Sequence, residues 1–166
     1  MNRKQLGFFV LFVVLTSLLF NGCAGIPSKE KITSLNYGNP PKGNYKTKAK
    51  DFFKSSLKDP DSAQYVRWEE PVRFWVTLMA LNSPLYLAEK QSAYTPLAGY
   101  MVFVWINAKN GFGGYSGAQR YGVLFKNDAI VAAFQPESTV AHAGILTSEG
   151  APVSCTQLWD SFLHCP

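Results

Sequence analysis

Hydrophobic side chains after residue 44 recur at the spacing of an α-helix. One helical stripe is formed by Tyr45, Ala49, Phe52, Phe53 and Leu57. Four lysines between positions 46 and 54 fall outside that stripe. Asn44 can cap the helix, and Pro60 ends it because proline fixes φ and disfavours helical geometry before it. The pattern predicts an amphipathic helix that packs on a sheet; the alternative is a basic helix that lies on a membrane surface.

A period-two pattern of hydrophobic and polar residues follows the helix and indicates strands. The predicted strands span residues 64–76, 99–107, 120–126 and 129–135. Pro71 interrupts the first strand because it cannot donate a backbone hydrogen bond. Asn127 and Asp128 predict a tight turn between the last two strands. This order of strands predicts an antiparallel meander.

The chain ends in a second helical signal. Ser154 and Gln157 form a capping box, and Leu158, Trp159 and Phe162 supply an apolar side. We therefore predict an α+β fold, in which an N-terminal amphipathic helix packs on an antiparallel β-meander and a short C-terminal helix follows.

Residues 1–22 have the layout of a signal peptide. Arg3 and Lys4 precede an uncharged apolar run over residues 6–20, and a small residue stands directly before Cys23. The run has 15 residues, whereas about 20 apolar residues are needed to span a bilayer. We predict that the segment is removed; the alternative is an apolar helix that stays in place as an anchor.

The cysteine at the cleavage point makes the segment resemble a bacterial lipoprotein signal. The lipobox is Leu19-Phe20-Asn21-Gly22-Cys23. Phe20 and Asn21 depart from the usual leucine and small residue of that pattern. The resemblance implies that Cys23 carries a diacylglyceryl group and a further acyl chain, which together give stable membrane attachment. Ala24 replaces the aspartate that retains lipoproteins in the inner membrane, so outer-membrane attachment facing the periplasm is expected.

Charge is distributed unevenly along the chain, whose formal net charge is +5. Residues 24–58 contain eight lysines and two acidic residues, whereas residues 59–166 contain six basic and nine acidic residues. Residues 23–43, with three prolines and few apolar side chains, are predicted to be a flexible basic linker to one globular domain over residues 44–166. Because the domain offers no basic cluster, no nucleic-acid partner is expected.

Two motifs carry a second resemblance. They are LKDPDSAQY at residues 57–65 and NAKNGFGGYSGAQRY at residues 107–121. Together they resemble a functionally uncharacterised family of small exported bacterial proteins that share DPxSA and NAKNxxGGYxG motifs. The resemblance implies a shared fold and supplies no reaction, cofactor or ligand.

The second motif contains the glycine-rich loop (residues 107–117). Its glycines permit backbone angles that other residues avoid, which is typical of a bulged hairpin. It is not a phosphate-binding loop, because the required Gly-Lys-Ser or Gly-Lys-Thr is absent from the sequence. The alternative hypothesis assigns the loop a function, as a ligand or partner site that presents Asn107, Lys109, Phe112 and Tyr115.

No sequence motif for catalysis or metal binding is found. The chain has two histidines and no HExxH, CxxC or Gly-x-Ser-x-Gly pattern, so we expect no enzymatic activity, cofactor or metal. Export exposes cysteines to an oxidising compartment, so Cys155 and Cys165 are predicted to form a disulfide; free or intermolecular thiols are the alternative. Ten residues of straight helix would hold the two Cα atoms about 15 Å apart, so the bond requires the C-terminus to turn back.

Three functions remain on the sequence alone. The favoured one is a structural or accessory subunit of an envelope assembly, bound to the membrane through its lipid and to an envelope protein partner. The first alternative is a binding module for a cell-wall or surface polymer that uses the glycine-rich loop. The second alternative is a hydrolase whose catalytic residues carry no recognisable motif.

Overall fold

The structure is a computed structural model, and it describes residues 27–78, 86–87, 95–135, 140–154, 156–158 and 161–164. The helices are α1 (Lys29–Thr33) and α2 (Tyr45–Ser56), and a short 3-10 turn follows at Pro60–Ser62. The strands are β1 (Gln64–Trp68), β2 (Val72–Leu78), β3 (Tyr86–Leu87), β4 (Leu97–Asn107), β5 (Gln119–Lys126), β6 (Ala129–Phe134), β7 (Val140–Leu146), β8 (Pro152–Ser154), β9 (Thr156–Leu158) and β10 (Ser161–His164).

Most of the described strands form one antiparallel sheet. Seven of them follow the order β3-β6-β5-β4-β2-β7-β8, and β1 joins the sheet at β4. β2 pairs with the N-terminal half of β4, while β1 pairs with its C-terminal half along the same edge. β5 pairs along the other edge. The long strand β4 is therefore the centre of the sheet.

The predicted fold class, an N-terminal helix on an antiparallel meander with a C-terminal helix, is wrong. The described chain is mostly antiparallel sheet with only two small helices. The sheet is not a meander, because the consecutive strands β6 and β7 lie on opposite sides of β4. Short strands replace the C-terminal helix, and its expected cap, Ser154, pairs with Gly144 of β7. Pairing with a neighbouring strand outweighs the local capping signal.

Several individual elements lie close to their predicted positions. α2 occupies most of the predicted N-terminal helix, and the predicted strand at 64–76 is divided into β1 and β2 around Pro71. The predicted turn between β5 and β6 is confirmed. Asn127 and Asp128 have φ angles of 51° and 66°, the left-handed values that a two-residue hairpin turn requires.

α2 packs on one face of the sheet, over β4 and β5. Tyr45, Ala49 and Phe53 of α2 are buried in one cluster with side chains of β4 and β5. The sheet residues of that cluster are Val102, Val104, Ile106, Val123 and Phe125. The opposite face holds a second cluster, with Phe74, Met101, Phe103, Leu124 and Phe134 among its fully buried members. β4 contributes to both clusters because successive side chains of a strand point to opposite faces.

Part of the segment predicted as a linker packs on the sheet. Ile32 and Tyr37 are only 4% and 7% exposed, and they share a cluster with Trp75 and Leu146. The Tyr37 hydroxyl donates a hydrogen bond to the Ile32 carbonyl at 3.0 Å. Burial raises the pKa of Tyr37 to about 12, so this phenol stays neutral at pH values above the ordinary pKa of tyrosine. Sparse apolar residues here are enough to anchor the segment.

Asp128 joins the segment before α2 to the turn between β5 and β6. Its carboxylate accepts a hydrogen bond from the Lys42 backbone N–H at 3.0 Å and lies 2.7 Å from the Lys48 ammonium. These contacts lower the pKa of Asp128, and the hydrogen bond from Lys48 is the largest cause. The stabilisation is therefore present above the unfolded-state pKa and is lost as the pH falls through the folded-state value.

No helix in the part of the chain that the structure describes is long and apolar enough to cross a membrane. The predicted signal peptide and Cys23 lie outside the described residues.

Near the C-terminus β9 pairs with β10, with Thr156 opposite His164. Cys155 and Cys165 lie outside the described residues, so their disulfide stays a prediction. The straight helix that would have held them apart is not formed, because residues 156–158 and 161–164 are strands.

Candidate functional site

The glycine-rich loop connects β4 to β5 and is organised by Asn110. The Asn110 side-chain oxygen accepts hydrogen bonds from the backbone N–H groups of Phe112 and Gly114 at 2.9 and 3.2 Å. The Asn110 backbone N–H donates to the Gly114 carbonyl at 2.8 Å, and the Gly113 N–H donates to the Asn110 carbonyl at 3.0 Å. At the base of the loop, Lys109 and Tyr115 form an isolated β-bridge. Hydrogen bonds within the loop therefore hold the backbone of its tip.

The loop also contacts the turn that follows α2, so the two sequence motifs meet in space. The Lys109 backbone N–H donates to the Ser62 hydroxyl oxygen at 2.9 Å, and the Tyr115 hydroxyl donates to the Ser62 carbonyl at 3.3 Å. Ser62 is itself held by Asp59, whose carbonyl accepts from the Ser62 hydroxyl at 2.8 Å and whose carboxylate accepts from the Ser62 N–H at 3.2 Å. The motif that ends the helix therefore supports the loop 47 residues later.

Besides Gly117, whose φ is +91°, this loop requires glycine at Gly113. Its φ is +80°, whereas Gly114 is not in the left-handed region. A Cβ at Gly113 would meet no atom within 4 Å, and one at Gly114 would make only ordinary contacts with Asn110 at 3.9 Å. The cost of a side chain at Gly113 is therefore conformational and not a packing clash.

Gly113→Ala is expected to lower the free energy of unfolding by about 1 to 2 kcal/mol, because an L-residue is strained at this φ. Gly114→Ala is the matched control, since it adds the same methyl group one residue later, and it should change the stability by less than about 0.5 kcal/mol. Urea denaturation of both variants measures the difference. Equal stability of the two variants would show that the left-handed backbone at Gly113 is not needed.

The predicted site residues lie in different environments. Phe112 is 100% exposed and Tyr115 is 47% exposed. The Lys109 ammonium lies 5.8 Å from the centre of the Tyr115 ring, so these two side chains are brought together. Asn107 faces β1 instead, where its amide nitrogen lies 3.5 Å from the Gln64 side-chain oxygen. The loop thus has an apolar tip, at Phe112, and a polar base.

A cleft of about 330 Å³ lies between the end of α2 and the loop. Its lining residues are Ser56, Leu57, Lys58, Ile106, Ala108, Lys109, Asn110, Gly111, Ser116, Gly117, Gln119, Tyr121 and Gln135. Of the predicted site residues, only Lys109 lines it. Lys58 was not predicted as a site residue, although it lies within the first motif at residues 57–65.

The chain matches no protein family model, no curated protein and no solved structure. The resemblance to the uncharacterised exported proteins therefore stays a prediction.

Three other cations of the described chain lie against aromatic rings of the sheet. The Arg120 guanidinium lies 3.8 Å from the centre of the Phe103 ring and donates a hydrogen bond to Glu69 at 2.9 Å. Arg67 lies 4.7 Å from the centre of the Trp105 ring. Lys50 of α2 lies 5.2 Å from the centre of the Tyr65 ring of β1.

The described residues contain no group of three or more histidine, cysteine or acidic side chains that could hold a metal ion. His142 lies on β7, and its backbone carbonyl accepts a hydrogen bond from the Thr77 hydroxyl at 3.2 Å. The side chain of His164 lies outside the described residues.

Proposed function

We propose that this chain is a lipid-anchored protein of the bacterial envelope that acts as an accessory subunit. In this proposal, the lipid on Cys23 holds it to the outer membrane, facing the periplasm. A protein partner binds the tip of the glycine-rich loop and encloses Phe112. The observation that carries the proposal is the complete exposure of Phe112 on a loop whose backbone is already fixed.

A single exposed apolar side chain is common on protein surfaces and would carry little weight alone. The support comes from the hydrogen bonds made by Asn110 beneath it and by Ser62 at the base of the loop. Because the backbone is ordered before binding, a partner does not bear the entropic cost of ordering it. A rigid aromatic side chain in a pocket of the partner is the kind of contact that dominates protein interfaces.

Photo-crosslinking in living cells tests the proposal. Benzoylphenylalanine at position 112 is expected to give one discrete adduct with an envelope protein after irradiation. The matched control carries the same photoreactive residue at Ser148, which is exposed in the turn between β7 and β8. Phe112→Ala should leave the stability within about 0.5 kcal/mol of the parent and should greatly reduce copurification of the partner identified by the adduct.

Adducts of equal yield at positions 112 and 148, or none at position 112, would contradict docking through the tip. Unchanged copurification of the partner with Phe112→Ala would do the same. Because Phe112 is wholly exposed, Phe112→Ala should not unfold the protein. The stability measurement checks this, so that a loss of copurification can be attributed to the missing side chain.

A further inference from the structure

The cleft beside the loop is a different surface from the tip. Phe112 does not line it, whereas Lys58 and Lys109 do. Lys58 extends from the end of α2 toward the loop, since a Cβ at Gly111 would lie 3.8 Å from the Lys58 ammonium nitrogen. Both lysines therefore line one opening, Lys58 from the end of α2 and Lys109 from the loop, where its ammonium lies 5.8 Å from the centre of the Tyr115 ring.

The charged residues that line the cleft are all basic. None of its lining residues, all of which belong to the described part of the chain, is acidic. The nearest acidic residue in sequence, Asp59, already accepts a hydrogen bond from the Ser62 N–H. Lys58 makes no ion pair with the described residues, unlike Lys48 and Lys54, which pair with Asp128 and Asp51. Two ammonium groups without a carboxylate favour an anionic ligand.

The neutral lining indicates what else the ligand carries. The hydroxyl group of Ser116 and the amide group of Gln119 line the cleft, where they can donate hydrogen bonds to hydroxyl groups and accept hydrogen bonds from them. Tyr121, Leu57 and Ala108 are only partly buried, and they give the cleft an apolar surface. An aromatic and apolar wall below neutral polar groups suits a sugar ring, which has an apolar C–H face and a hydroxylated edge.

Size limits the ligand to about one ring. The volume of about 330 Å³ is at the lower end of the range of roughly 300 to 1,000 Å³ that is typical of ligand pockets. We propose that the cleft binds a single sugar residue that carries a carboxylate, with Lys58 and Lys109 bound to that carboxylate. Such a sugar occurs as muramic acid whose lactyl carboxylate carries no peptide, and as the uronic acids of surface polysaccharides.

Matched probes test the proposal on the full chain in detergent by ligand-observed NMR titration. N-acetylmuramic acid and N-acetylglucosamine share a ring and differ by one carboxylate-bearing lactyl group. N-acetylmuramic acid is expected to bind at least about tenfold more tightly, because charge-assisted hydrogen bonds to the lysines are lost with the neutral sugar. Added salt should weaken its binding. Glucuronic acid distinguishes the two sources: whichever acid binds more tightly identifies the polymer.

Variants locate the site. Lys58→Gln and Lys109→Gln should each weaken binding of the preferred acid by about tenfold, while Lys58→Arg should retain most of it because the charge remains. The matched control is Lys54→Gln, which removes the same charge from an exposed position on α2 and should leave binding unchanged. Phe112→Ala should also leave it unchanged, so this inference can fail or stand independently of the proposed docking through the tip.

Several outcomes would overturn the proposal. One is equal affinity for the acidic and neutral sugars, and another is no binding of either acid at millimolar concentrations. Binding of D-lactate as tight as that of the sugar acids would remove the role of the ring. Equal weakening by Lys54→Gln and Lys58→Gln would show that net charge, and not the cleft, attracts the acid.

Discussion

Phe53→Ala is expected to lower the free energy of unfolding by about 3 to 5 kcal/mol, the range for removal of a large aromatic side chain from a core. Phe53 is fully buried where α2 meets the sheet. Its ring centre lies 5.4 Å from that of Tyr121 and 6.5 Å from that of Tyr65. Since small domains are stable by only about 5 to 15 kcal/mol in total, this loss would leave the protein close to unfolding.

Phe52→Ala provides the matched control. Phe52 is the adjacent residue on α2, it loses the same group, and it is only half-buried, so a clearly smaller loss is expected. Urea denaturation followed by tryptophan fluorescence measures both variants. If Phe53→Ala costs no more than Phe52→Ala, the contact between α2 and the sheet does not have the importance that its burial indicates.

Cys23→Ser is expected to abolish acylation and to remove the protein from the outer-membrane fraction. The expectation rests on the signal-like N-terminal residues and on the hydroxyl of serine, which does not replace the thiol in lipid transfer. The effect is large because each buried methylene of an acyl chain contributes about 0.8 kcal/mol to membrane binding.

Incorporation of labelled palmitate, together with fractionation of the membranes, measures this change. Cys155→Ser and Cys165→Ser are the controls, because both remove a thiol and should leave labelling intact. Continued labelling of Cys23→Ser, or the same distribution among fractions as the parent, would contradict lipidation at this cysteine.

Local signals in the sequence were sufficient for some elements and not for others. The helical stripe beginning at Tyr45 and the turn at Asn127 depend on nearby residues, and both are present in the structure. The pairing of Ser154 with Gly144 depends on a strand distant in the fold, so a capping box read locally was misleading. The burial of Ile32 and Tyr37 likewise depends on the sheet and not on the composition of their segment.

The candidate site was predictable only in part, because local patterns do not reveal contacts between distant residues. Glycine spacing indicated the loop, and the structure adds the role of Asn110, which no single-residue pattern reveals. Asn107 was proposed as a ligand group, yet it lies beside Gln64 of β1. Lys58 joins the cleft only because the chain reverses at the turn after α2. Such proximity between distant residues follows from topology, which periodicity alone does not encode.

The packing of the N-terminal segment on the sheet also limits how far the domain can stand from a membrane. Ser28, which caps α1, lies only five residues after Cys23. Those five residues, even when fully extended, cover no more than about 18 Å. A linker extending to residue 43 would allow roughly 70 Å. If Cys23 carries the proposed lipid, the domain is confined to a thin layer above its own bilayer, and any partner has to be within that layer.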